Sequence, residues 1–86
     1  MTYQEKVALG NMPEMERIKA MLTYSGFRHV SKRSWGSTDM LMFYETVPKS
    51  PTGCELMGGV NDNEENRKIV YEHGKNICAG GHMGNA

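Results

Sequence analysis

The amino-acid sequence predicts an α+β fold of two layers: a three-stranded antiparallel sheet carrying two main helices, ordered α-β-β-β-α, with a short N-terminal helical turn. Three observations predict it. An apolar stripe at helical spacing runs through residues 11–26. Two runs rich in aromatic and β-branched residues flank Gly36-Ser37. A polar, acidic start then opens a second helical pattern after residue 61.

In chain order, Thr2 with Glu5 matches a capping box, and Gly10 stops a helix of about two turns. In NMPEMERIKAMLTYSG, Asn11 is the expected N-cap, Pro13 falls in the first turn and Glu14 is placed to reach back to the cap. Met15, Ile18, Met21, Leu22 and Ser25 form the stripe, and Gly26 is the expected left-handed cap. Residues 27–35 and 38–47 read as strands joined by a two-residue II′ turn, which wants Gly first. PKSPTG is a proline-broken loop. CELMGGV is a third strand, in which Gly58-Gly59 suggest a bulge or a close backbone approach. Asp62 with Glu65 caps the second helix; Asn66, Ile69, Val70, His73 and Ile77 trace one face, and Gly74 ends or weakens it. Residues 1–86 are read as one domain without repeats, its glycine-rich tail fraying from about residue 79.

Composition narrows the function classes. The formal net charge is +0 and the pI about 6.8, so global charge announces neither a nucleic-acid nor a membrane partner. No apolar run approaches the roughly 18 residues of a membrane span, and the N-terminus has no signal-peptide pattern, so a cytoplasmic protein with reduced thiols is expected. Eight methionines serve either as adaptable core filler or as a pliable apolar surface for a partner. Residues 17–38 hold five Lys/Arg and no acid, whereas residues 39–66 hold six acids and one lysine, which predicts a dipolar domain.

The chemistry-bearing residues give no motif. Cys54, His73, Cys78 and His82 have the atom types of a zinc site, but no closely spaced pair stands at both ends. NDNEEN fits no calcium-loop register, GGVNDN no phosphate loop, and Gly81 to Gly84 only the string of a GxxG clamp. No nucleophile, base and orienting group stand in a known catalytic pattern, so neither an enzyme nor a cofactor is expected.

The hairpin carries the most information. Counting outward from Gly36-Ser37 pairs Trp35 with Thr38, Arg33 with Met40, His29 with Tyr44 and Arg28 with Glu45. Alternation then gives two faces. One holds Val30, Leu41, Phe43 and Val47, with Arg28 opposite Glu45 and Lys32 near the rim, and is expected to pack under the helices. The other holds Phe27, His29, Arg33, Trp35, Met40, Met42 and Tyr44, residue types enriched at protein interfaces. A one-residue slip would exchange the faces and make the aromatic one the core. The expectation is a small non-enzymatic module, a regulator, inhibitor or accessory subunit, that occupies the surface of a larger protein or of a second copy. A regulator of phage or mobile-element type is an alternative form of it that no residue here carries. The competing expectation is single-stranded nucleic acid or a phosphorylated ligand, bound through Arg17, Lys19, Arg28, Lys32 and Arg33.

Overall fold

A computed structural model of the chain describes residues 1–79, apart from the side chain of Trp35. It contains α1 (Tyr3–Gly10), α2 (Glu14–Thr23), β1 (Phe27–Trp35), β2 (Thr38–Thr46), β3 (Cys54–Asn61), α3 (Glu64–Glu72) and β4 (Ile77–Cys78). The α+β class matches the expectation, but the described sheet is four-stranded and mixed, in the order β3-β2-β1-β4. β1–β2 and β2–β3 are antiparallel, and β4 lies parallel to β1 through Val30↔Ile77 and Ser31↔Cys78. α3 therefore carries the chain from one edge of the sheet to the other. The sequence hides β4 because it has only two residues and Ile77 also fits the helical stripe of α3.

Each helix boundary has a local cause. Thr2 and Glu5 form the capping box on α1, Glu5 N–H to Thr2 Oγ1 at 3.1 Å and Thr2 N–H to Glu5 Oε1 at 2.8 Å. Asn11 is not the N-cap of α2; it closes α1, and Pro13 caps α2 with no side-chain bond. Glu14 leaves the cap altogether and accepts the Asn61 N–H at 3.1 Å, so tertiary contact outcompetes the local bond. Gly26 is not a left-handed cap either. A Cβ there would stand 2.7 Å from Cε2 of Tyr24, so this glycine admits an aromatic ring. For α3 the cap is Asn63, whose Oδ1 accepts the Asn66 N–H at 2.8 Å; Asp62 instead takes Arg67 at 2.7 Å and Lys32 at 3.8 Å. Gly74, at φ 73°, ends α3 in a Schellman arrangement, with Gly74 N–H to Tyr71 C=O at 2.9 Å and Lys75 N–H to Val70 C=O at 3.2 Å.

The hairpin register runs as expected from Trp35↔Thr38 to His29↔Tyr44. The turn has positive φ at Gly36 and not at Ser37, as type II′ requires. Beyond His29 the pairing shifts, and Phe27 rather than Arg28 stands opposite Glu45. That bulge at Arg28 carries Phe27 to the opposite face, where it packs against the core. Buried Glu45 is neutralised instead by the Met1 α-amino group and by Lys6 Nζ, 3.4 Å away. A second bulge, at Met57, lets Met57 and Val60 both enter the core.

The core lies between the helices and one face of the sheet. Val30, Leu41, Phe43, Met57 and Val60 from the strands meet Leu9, Ile18, Met21, Leu22, Ile69 and Val70 from the helices. This is the aliphatic face, so the one-residue slip is ruled out and Met40, Met42 and Tyr44 lie on the other side. Met15, expected on the stripe of α2, is exposed. The charge blocks interleave rather than segregate, because Lys32 of β1 meets Asp62 and Ser34 donates to Asp39 across the hairpin.

Candidate functional site

The sheet face away from the helices is built by strand alternation, with the bulge at Met57 resetting β3. β1 contributes His29, Ser31 and Arg33; β2 contributes Met40, Met42 and Tyr44; β3 contributes Leu56 and Gly59. No described helix covers this face. His29, Arg33, Met40, Met42 and Tyr44 are half-buried, and Leu56 is 40% exposed. The His29 ring stacks on Tyr44 with centroids 4.8 Å apart and planes 17° from parallel. Burial lowers the His29 pKa from its ordinary 6.5, and the charge of Arg28 lowers it further. Gly59 makes room for the methionines: a Cβ there would stand 2.8 Å from Met42 Sδ and 3.5 Å from Met40 Cε. The sequence reading missed Leu56, whose place depends on the bulge at Met57.

Of the seven residues expected on this face, His29, Arg33, Met40, Met42 and Tyr44 share it, Phe27 does not, and the side chain of Trp35 lies outside what the structure describes. Phe27 lies on the helix side with Lys75 Nζ 5.2 Å from its ring centroid. The cationic set fares differently. Arg17 is occupied by backbone carbonyls: Nε donates to Leu9 (2.9 Å), Nη1 to Gly59 (3.0 Å) and Nη2 to Met12 (2.9 Å) and Gly10 (3.4 Å). Lys19 is exposed on α2, Lys32 is tied to Asp62 on the helix side, Arg28 is exposed on the bulge, and Arg33 is on the open face. The fold does not gather these five into one surface.

The sulfur and imidazole groups are also kept apart. Cys54 is on β3 and Cys78 on β4, the two outer strands of the described sheet, three inter-strand steps or about 14 Å apart. They can share neither a disulfide nor a zinc ion. His73 Nδ1 lies 3.0 Å from the carbonyl of Ile69, and His82 and the GxxG string lie outside the described residues. Among the described residues no cluster of three or more His, Cys, Asp or Glu could hold a metal ion. No described helix is long and apolar enough to cross a membrane.

Two recesses mark the surface. The larger, about 550 Å³, is bounded among the described residues by Glu64, Arg67, Lys68, Tyr71 and Glu72, all on α3. The smaller, about 330 Å³, lies past the end of β4 and is bounded by Lys32, Arg33, Ser34, Asp39, Asp62 and Ala79. Arg33 Nε is shut off from solvent and finds no hydrogen-bond acceptor among the described residues. No family model, no curated protein and no solved structure matches the chain.

Proposed function

We propose that the protein is a binding module that occupies a partner protein's surface through the open face of its sheet, without chemistry of its own. The observation that supports this reading is a sheet face that no described helix covers. It presents Met40, Met42, Tyr44, His29 and Leu56 while every described helix packs on the opposite side. Half-exposed methionines beside an aromatic pair and an arginine form the composition that dominates protein interfaces. Flexible Met side chains also repack against more than one surface. A regulator, inhibitor or accessory subunit needs no more than this. The scattering of the five cations speaks against a phosphate-tracking groove, which needs its charges along one path.

Capture with the full chain as bait tests the reading, run beside light scattering for self-association. Met42→Glu should keep the fold, losing about 1 kcal/mol or less in urea unfolding, and abolish recovery of the partner or of the second copy. Undiminished recovery would overturn the assignment. Binding of a single-stranded oligonucleotide that weakens steeply with salt would overturn it in favour of nucleic acid.

A further inference from the structure

We infer that the partner segment accepted by the open face is apolar and carries a carboxylate, which Arg33 anchors. The inference rests on the docking reading above and names the chemistry of its partner. Charge on this face has one sign. The residues that β1, β2 and β3 turn toward it include Arg33 and His29 and no Asp or Glu, and exposed Arg28 sits on the bulge beside His29. The carboxylates of the same strands face the other way or are already matched: Glu45 takes the Met1 amine and Lys6, Glu55 takes Lys6, and Asp39 takes Ser34. Asp39 and Asp62 border the recess beside Arg33, yet Asp62 is held by Arg67 and Lys32, and neither forms an ion pair with Arg33.

The second observation is the Nε of Arg33, buried without an acceptor among the described residues. A buried N–H left unpaired is costly, and a cationic one more so. The guanidinium fork is shaped for two parallel bonds to a carboxylate, so an acid on the partner that meets the part of Arg33 still open to solvent would offset the charge held beside the unpaired Nε. That one N–H has already lost its water in the free protein. The methionines and Leu56 alongside call for apolar side chains next to that acid.

A random peptide library displayed on phage tests this, selected on the immobilised full chain. The comparison bait carries Met40→Gln and Met42→Gln, neutral changes that remove the apolar surface without altering charge. Peptides enriched on the wild type over this bait should carry Asp or Glu beside apolar residues. Their affinity should fall at least about tenfold on Arg33→Gln, the loss of one charged hydrogen-bonded contact. Selection on Arg33→Glu should turn the enriched charge to Lys or Arg. Peptides that need Met40 and Met42 but lack an acid, or that bind Arg33→Gln equally well, would overturn the carboxylate anchor and leave the docking face standing. A pool that does not distinguish wild type from the double Gln variant would overturn both.

Discussion

Arg17 illustrates how a residue's type predicts less than its surroundings. By sequence it belongs to a basic run; in the fold its guanidinium closes the end of α1 and takes the Gly59 carbonyl of β3. Arg17→Ala should therefore cost about 2–3 kcal/mol in urea unfolding, since charged donors leave part-buried carbonyls unpaired. Arg17→Lys should recover little of it, because an ammonium cannot span this fork of acceptors. His29 makes a pH prediction at the same scale. Burial, then Arg28, holds its folded pKa below the ordinary 6.5, so the folded state binds its proton less readily than the unfolded chain. Stability is then complete above about pH 6.5 and lost as pH falls through the folded value. Urea midpoints between pH 7.5 and 5 should decline in the wild type. They should decline less in His29→Phe, which keeps the stack on Tyr44 without the titrating group.

Among the elements, the hairpin was legible because its register follows from a two-residue turn and from alternation, both local properties. Gly36 holds φ at 61°, where a Cβ is strained. Gly36→Ala should cost about 1 kcal/mol and lower Tm by about 5 °C, with the open-face residues unmoved. What the hairpin's sequence did not disclose was the bulge at Arg28. It exchanges Phe27 for Arg28 at one position, and the reason is tertiary: Phe27 gains the core, and the charge of Glu45 is matched by Lys6 of α1 and the N-terminal amine rather than across the strand. The helix caps went the same way. The capping box on α1 is a contact within four residues and was readable. Glu14 had a local option that distant Asn61 displaced, whereas Asn11 closes α1 through Ala8 and Leu9, and Asp62 takes Arg67 one turn on together with Lys32 of β1.

For the whole molecule, Met42 and Phe43 are chain neighbours with opposite tasks. Phe43 is fully buried beneath the helices, and Phe43→Ala should cost about 3–5 kcal/mol, a large part of the stability of so small a domain. Met42→Glu should cost about 1 kcal/mol or less and act on binding instead. Paired urea titrations check this contrast. Equal losses would mean that the open face is as well packed as the core, and the docking assignment would fall with it. Folding joins the basic stretch to the acidic one at one ion pair, Lys32 of β1 with Asp62.

Sequence by itself determined the α+β class, the buried positions Ile18, Met21 and Leu22 of α2 and Asn66, Ile69 and Val70 of α3, the II′ hairpin, and the alternation that sets His29, Arg33, Met40, Met42 and Tyr44 on one face, because periodicity and turn chemistry are local. Tertiary structure decided which sheet face the helices cover, the bulges that set Phe27 and Leu56, the addition of β4, and the separation of Cys54 from Cys78. Each of these depends on groups far apart in the chain competing for the same core, edge or charge, and no local pattern records the outcome of that competition.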